Sequence, residues 1–249
     1  MQNYSGDFPV VQKWRSGGYD GHGVNIIKTA EELKSAKAVD SVFEEMVDIK
    51  MEISVLIARD KEGHTAIYEP AEMIFDPVAN LVDYLIAPAR LSSEKLNEAK
   101  DLAKQMADKF DFYGMYAIEM FIDQNDNILI NEVAPRTHNS GHHTVSANAT
   151  SQYEQQIRIA LGFPLGSTKQ LSPCVLFNLL GADATGKTHY QGLKEAFEIE
   201  NVQYVFYAKE EVRPKRKMGH AIILEEDINL ALKKVEQIRN TLTITTNEQ

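Results

Sequence analysis

Short runs in which apolar and polar residues alternate dominate this chain, interrupted by a few stretches where apolar residues recur at helical spacing. Val10–Trp14, Asn25–Lys28 and Val42–Val47 read as strands. A short helix, Ala30–Lys37, is predicted between the last two, opened by a capping box of Thr29 and Glu32. Glu52–Arg59, the turn Lys61–Gly63, Thr65–Tyr68 and Asp83–Ala87 continue a β-dominated block. Ser92–Phe110 places Leu96, Ala99, Ala103, Met106 and Phe110 along a helical stripe. After an irregular loop, Pro135–Thr150, a helix capped by Ser151 and Glu154 stops at Gly162 before Pro164. The tail adds strands Val175–Leu180, Gln203–Ala208 and His220–Leu224. A last helix, Asp227–Leu242, carries Ile228, Leu232, Val235 and Ile238 on one face. The order predicts an α+β fold with mixed and antiparallel pairing, unlike a doubly wound parallel sheet.

One predicted hairpin carries charge where a sheet does not want it. Met115–Ile122 and Ile128–Val133 flank an Asp/Asn-rich turn, and pairing Asp123 with Ile128 sets Glu119 opposite Glu132. Carboxylates so placed sit ~5 Å apart and repel, by roughly 3 kcal/mol at an effective dielectric near 20. A divalent cation reverses that sign, and hard oxygen ligands suit magnesium. Two edge glutamates splayed into solvent is the competing reading.

Composition narrows the field. The 249 residues suit one large domain or two modest ones. A formal charge of −10 disfavours nucleic acid or an anionic membrane as general partners, leaving Arg213–Lys217 as one local basic run. Cys174 is the sole cysteine, so no internal disulfide forms and a cytoplasmic location is expected. No signal peptide is evident, and no apolar run approaches the ~18 residues of a membrane helix.

Two glycine-rich loops invite phosphate. Ser16–Gly23 follows a strand bearing Lys13, and its glycines let backbone N–H groups approach an anion closely; a flexible hairpin tip fits the same residues. Gly181–Thr188 matches the Walker A pattern in full, but a P-loop must open a helix. Thr188–Gly192 is a poor helix start and no βαβ unit follows, so the match reads as coincidence in a turn. Three of the seven histidines fall in Ala134–His143, directly after the second glutamate. Zinc is disfavoured there, because no cysteine is near and Asn139-Ser140-Gly141 breaks the helical turn that would align His138 with His142. A polar anion or substrate pocket is favoured instead.

Taken together, the glycine loop, Glu44–Val47, Asn131–His142 and Arg213–His220 resemble the N5-carboxyaminoimidazole ribonucleotide synthetases. These are ATP-grasp ligases of purine biosynthesis, also called the ATPase subunit of phosphoribosylaminoimidazole carboxylase. The likeness runs from about Phe8 to Leu242, and the Asn131–His142 string is its specific part. It implies an ATP-grasp lid over residues 1–48, a larger subdomain with the metal and bicarbonate site over 49–165, and a C-terminal subdomain over 166–249. Lys13 and Gly18, Tyr19, Asp20, Gly21, His22 and Gly23 would cover the ATP phosphates. Glu44, Glu45, Met46 and Val47 would form the adenine hinge, and Glu52 the ribose-binding acid. Glu119 and Glu132 would hold Mg²⁺, assisted by Asn131. Arg136 and His138 would position bicarbonate and carboxyphosphate as the catalytic pair. Tyr19, Asp20, His22, Lys209 and Arg216 would bind 5-aminoimidazole ribonucleotide, the last two through its 5′-phosphate, a job that suits a lysine beside a bidentate arginine.

Departures from the family pattern accompany that likeness. His22 stands where lysine or arginine is usual, Met73 and Phe75 where an Asn-x-His is usual, and Trp14 is unexpected beside the ATP lysine. The family's N-terminal domain, which completes the ribonucleotide pocket, has no counterpart in these residues, so the chain reads as the C-terminal portion of the ligase. The alternatives are a nucleotide-binding fragment or subunit without turnover, or another ATP-grasp ligase such as a formyl-phosphate-using transformylase. The sequence leaves room for a homodimer.

Overall fold

A computed structural model describes residues 4, 6–18, 22–75, 82–110 and 112–246. The chain first builds a small antiparallel sheet from β1 (Val10–Trp14), β2 (Val24–Ile27) and, after helix α1 (Ala30–Ser35), β3 (Ser41–Glu45), in the order β2-β1-β3. Thr29 caps α1 as expected, its hydroxyl accepting from the Glu32 N–H, but the helix ends two residues before Lys37.

The main sheet then forms from β4 (Ile49–Arg59), β5 (Thr65–Ile67), β6 (Ala71–Phe75) and β7 (Val82–Ala87). Helix α2 (Ser93–Lys109) and the strands β8 (Gly114–Asp123) and β9 (Ile128–Ala134) follow. A 3₁₀ turn (Asn139–Gly141) and the helices α3 (Thr144–Ala147) and α4 (Gln152–Leu161) occupy the stretch read as irregular loop and the helix after it. The C-terminal part contributes β10 (Cys174–Leu180), β11 (Gly186–Gln191), α5 (Leu193–Ala196), β12 (Val202–Phe206), β13 (Glu211–Val212), β14 (Lys217–Leu224), α6 (Ile228–Thr241) and β15 (Thr243–Thr246). The nine-stranded sheet runs β12-β14-β10-β7-β6-β4-β8-β9, with β5 on β4; β13-β11-β15 is a separate three-stranded sheet. Among the described residues every pair of strands is antiparallel.

Both faces of the large sheet are covered, which explains why Ile53–Ala58 is buried without alternation. Ile53, Val55 and Ile57 face α2, whose Ala99, Ala103 and Ala107 are small enough to bring the helix close. Leu56 and Ala58 face the other way, toward Ile159 of α4. The same division continues along the sheet, where α6 covers Val175 and Phe177 and Ala147 of α3 covers Leu176. Glu72, in β6, is buried on the α2/α6 face. It is tolerated because Arg90 clamps it bidentately, with Nε to Oε2 at 2.8 Å.

Several strands escaped the sequence reading. β6 was hidden by its buried acid and the preceding Pro70, and β11, β13 and β15 are polar strands of the small sheet. The Walker-like string does not open a helix: Lys187 and Thr188 lie in β11, paired with Glu211 and Thr246. The expectation of a turn there is corrected; the rejection of a P-loop agrees with the strand. Among the described residues no helix is long and apolar enough to cross a membrane.

Replacing Ala103, at 0% exposure between α2 and the sheet, should test this packing. Ala103→Leu is expected to lower stability by about 1–3 kcal/mol through overpacking, read as a lower urea midpoint with an unchanged slope.

Candidate active site

Three adjacent strands align the central acids. Ser54 of β4 is opposite Glu119 of β8, which is opposite Glu132 of β9. The expected pair therefore forms, but by a different register. Ile122, not Asp123, is the partner of Ile128, because the Asp123 carboxylate accepts the N–H groups of Asn125 and Asn127 (2.8 Å each) and folds the turn around itself. A bulge then restores the pairing: Met120 meets Ile130, and the next pair is Glu119 with Glu132, leaving Asn131 as the extra residue. Asn131 Oδ1 accepts from Lys13 Nζ at 2.6 Å, across 118 residues of chain.

The site is electrostatically strained. Burial, then the charges of Glu132 and Glu52, push the Glu119 carboxyl up to about 7, against the opposing pull of Lys217 and Lys13. Burial alone lifts Glu52 to about 7. Its cross-strand neighbour is Met73, which sits in an apolar cluster with Leu85, Leu176 and Ile222. The Met73 and Phe75 departure thus sets apolar side chains in β6, beside the strand that bears this acid. Glu132 is exposed, so one carboxylate is sunk and the other faces solvent. Two acids of hard oxygen donors, with the Asn131 carbonyl alongside, fit a magnesium ion as an open set that phosphate oxygens would complete.

Lys13 links the small sheet to the bulge of β9. Besides Asn131 it contacts Glu44 Oε2 at 2.6 Å, so the acid expected at the adenine hinge is paired with the lysine expected to bind phosphate. Met46 and Val47, with Pro9, Asp48 and Ile49, line an open and largely apolar cleft of about 410 Å³; Glu45 ends β3 beside it. In the glycine loop, Gly18 and Gly23 are described, and Gly23 has φ +91° with the Trp14 ring 3.1 Å from where a Cβ would stand. Trp14 also meets His22 edge-on at 5.1 Å and carries Lys37 Nζ 4.1 Å over its ring. Tyr19, Asp20 and Gly21 lie outside the described residues.

The histidine loop is braced from α4. Gln152 Oε1 accepts the His138 N–H (2.9 Å) while its Nε2 donates to the His138 carbonyl (2.8 Å). Gly141 makes room for this brace, since a Cβ there would lie 2.4 Å from Gln152 Oε1 and 2.6 Å from Leu56 Cδ1. His138 Nδ1 lies 3.0 Å from Ser140 Oγ and 3.7 Å from Glu119 Oε1, and Ser140 Oγ shares a 2.7 Å hydrogen bond with Ser54 Oγ. His138 is thereby brought to the carboxylates. Arg136 is exposed next to them in sequence, its Nη1 donating to the Thr137 carbonyl at 3.0 Å. His143 is a structural histidine, fully buried with Nδ1–H donating to the Ser140 carbonyl, and burial pulls it down to about 4.

The basic run is held to neighbouring backbone carbonyls. Arg216 Nη1 donates to the Glu211 carbonyl at 2.6 Å, and Lys209 Nζ donates to the Lys217 carbonyl. The turn that bears Arg216 rests on Gly181, where a Cβ would lie 2.3 Å from the Arg213 carbonyl oxygen. The first glycine of the Walker-like string therefore serves packing. Lys217 was missed by the sequence reading: its charge acts on both Glu119 and His142, a proximity that no local motif announces. Asp60, Glu62 and His64 also cluster, on a turn where Asp60 Oδ2 already holds His64 Nδ1 at 2.9 Å.

Comparison with known proteins bears on the whole arrangement. Residues 3–153 match the ATP-grasp domain, and residues 174–234 match the phosphoribosylaminoimidazole carboxylase C-terminal domain. N5-carboxyaminoimidazole ribonucleotide synthase of Bacillus subtilis is 37% identical over 223 residues, covering 88% of this chain and 57% of that protein. The crystal structure of N5-carboxyaminoimidazole ribonucleotide synthetase from Thermotoga maritima superposes with a TM-score of 0.88 at 40% identity, over 97% of this chain and 64% of the other. The Staphylococcus aureus N5-carboxyaminoimidazole synthetase complexed with ADP gives a TM-score of 0.80 at 29% identity, over 92% of this chain and 61% of that one. The chain thus spans about three fifths of the length of the relatives it matches.

The raised Glu119 carboxyl has a measurable signature. Because its folded value lies above the unfolded 4.5, the folded state holds an extra proton between the two. The associated stability is fully present below pH 4.5 and lost as pH rises through about 7. In metal-free protein, Glu119→Gln should flatten that loss and be the more stable form at pH 8, by roughly 1–3 kcal/mol, in urea melts at pH 5 and pH 8. Gly141→Ala, by contrast, should destabilise at every pH and disorder the His138 loop in amide exchange.

Proposed function

This chain belongs to the ATP-grasp family, and on that premise we propose that it is the C-terminal portion of an ATP-dependent carbon–nitrogen ligase. The reaction is carboxylation of 5-aminoimidazole ribonucleotide on N5, with ATP and bicarbonate giving the N5-carbamate, ADP and phosphate in purine biosynthesis. The observation that carries this reading is the convergence of Lys13, Asn131, Glu119 and Glu132 beside a histidine loop, backed by relatives of that name across most of the chain.

In this reading residues 1–48 act as the lid, 49–165 as the larger half of the clamp, and 166–249 as the substrate-phosphate side. The apolar cleft at Met46 and Val47 takes adenine, with Glu44 and Glu45 behind it, and Glu52 takes the ribose. Lys13 and the loop Gly18–Gly23, with His22 in place of a stronger cation, hold the phosphates. Glu119, Glu132 and Asn131 would hold magnesium, which when bound supplies charge neutralisation at phosphoryl oxygens. Bicarbonate oxygen attacks the γ-phosphorus as the bond to ADP breaks. The substrate amine then attacks the carboxyl carbon and phosphate leaves. Arg136 and His138 orient the acceptor for both steps, while Lys209 and Arg216 grip the ribonucleotide phosphate with Tyr19, Asp20 and His22. Orientation of this kind lowers barriers by about 7–11 kcal/mol in favourable cases. The proposal includes a cytoplasmic location, an N-terminal domain that completes the acceptor pocket, and no role for nucleic acid or membrane; a homodimer is compatible with it.

Calorimetric titration with ADP tests the nucleotide side. Mg²⁺ should tighten ADP binding in the native chain and have little effect in Glu132→Gln; equal metal dependence in both would refute the paired-glutamate site. Lys13→Ala should weaken nucleotide binding by about ten- to a hundredfold, from the ~1.5–3 kcal/mol of a charged hydrogen bond. Lys187→Ala should leave it unchanged, and the reverse ranking would revive the Walker-like loop. For the reaction, ADP release dependent on bicarbonate and 5-aminoimidazole ribonucleotide should be negligible for these 249 residues and restored by adding a relative's N-terminal domain. Full turnover without that addition would place the acceptor pocket elsewhere.

A further inference from the structure

Two histidines outside the expected catalytic pair are stacked where the loop before α3 meets β14. His142 and His220 lie with ring centroids 4.8 Å apart and planes 18° from parallel. Tyr153 Oη lies 2.6 Å from His142 Nδ1, and Tyr207 Oη lies 2.9 Å from His220 Nδ1. The protonated nitrogen of His142 can be deduced. Gln152 has its amide orientation fixed by His138, since exchanging its oxygen and nitrogen would face N–H with NH₂ and C=O with C=O. Its Nε2 must therefore donate to His142 Nδ1, 3.3 Å away, so Nδ1 accepts and the ring proton sits on Nε2. Burial, followed by the charges of His220, His138, His143 and Lys217, drives the ring down to about 3. His142 is a neutral imidazole with a fixed Nε2–H donor.

That donor has no hydrogen-bond acceptor among the described residues. A second polar atom nearby is also unsatisfied: His220 is 4% exposed and its Nε2 is buried without a partner. Lys217 adds a positive charge close enough to act on both His142 and Glu119. A neutral N–H donor beside a cation, on the metal-facing side of the sheet, favours an oxyanion over a cation or an apolar group.

We infer that His142 touches ligand, donating its Nε2–H to a carboxylate or acyl-phosphate oxygen held next to Lys217, with His220 as the stacked platform that fixes the ring. The inference rests on the proposed ligase reading and adds a residue to its acceptor side. A carboxyphosphate-like anion has the chemistry required, and phosphonoacetate, in which a methylene replaces the bridging oxygen, is a stable probe of that class.

The test uses the 249-residue chain labelled with ¹⁵N-histidine and saturated with Mg-ADP. Long-range ¹H–¹⁵N spectra should show His142 as the Nε2–H form, and phosphonoacetate should shift its Nε2 resonance. His142→Phe keeps a stacked ring without the donor and should bind Mg-ADP normally while losing phosphonoacetate affinity by about tenfold, the worth of one such hydrogen bond. His142→Gln, which restores an N–H at a similar reach, should recover most of it. An Nδ1–H form of His142, or unchanged phosphonoacetate affinity in His142→Phe, overturns the inference. Phosphonoacetate that fails to bind while Mg-ADP binds also overturns it and leaves the ligase reading intact, whereas failure of Mg-ADP to bind the native chain removes that reading and this inference with it.

Discussion

The antiparallel register of β4, β8 and β9 governs this molecule's chemistry. One line across those strands carries Ser54, Glu119 and Glu132, and a one-residue slip would turn all three to the α2 face. The slip is prevented from both sides. Ile53, Val55 and Ile57 are packed on the small residues of α2, while Leu56 and Ala58 are packed under α4. The apolar core thus sets two carboxylates opposite each other, and burial, reinforced by the neighbouring charge of Glu132, raises the Glu119 carboxyl. A sheet tolerates such a pair when the rest of its buried surface enforces the pairing.

The same core carries the loop that follows. Ser140 reaches back to Ser54, Gln152 at the start of α4 clasps the backbone of His138, and Gly141 leaves the space in which they meet. His138 is thereby set by hydrogen bonds to rigid elements, which suits a reaction that depends on orientation.

Much of this was legible in the sequence because it was local. Helix caps at Thr29, Ser92 and Ser151, the apolar stripe of α2 and the turn chemistry around Asp123 are all encoded within a few residues. The Glu119–Glu132 pair was legible too, though for an incomplete reason: the Asp123 turn shifts the hairpin by one residue and the bulge at Asn131 shifts it back. Such a cancellation leaves no trace in the alternation. What stayed hidden was non-local or polar. β11 and β15 show no apolar alternation strong enough to mark them. Lys217 matters through Glu119, nearly a hundred residues away, and the Gly181 string looks like a nucleotide motif until the carbonyl of Arg213 is found against it.

The double engagement of Lys13 has a thermodynamic consequence. Its ammonium bridges Asn131 on the bulge and Glu44 on the small sheet. Under the proposed function, a phosphate that drew the lysine away would release the Asn131 carbonyl toward a cation, and a cation that took up that carbonyl would release the lysine toward phosphate. Whatever factor one ligand contributes to the other's affinity must be returned in equal measure. Nucleotide and metal would then report on a single shared equilibrium, written into one contact between residues 118 positions apart.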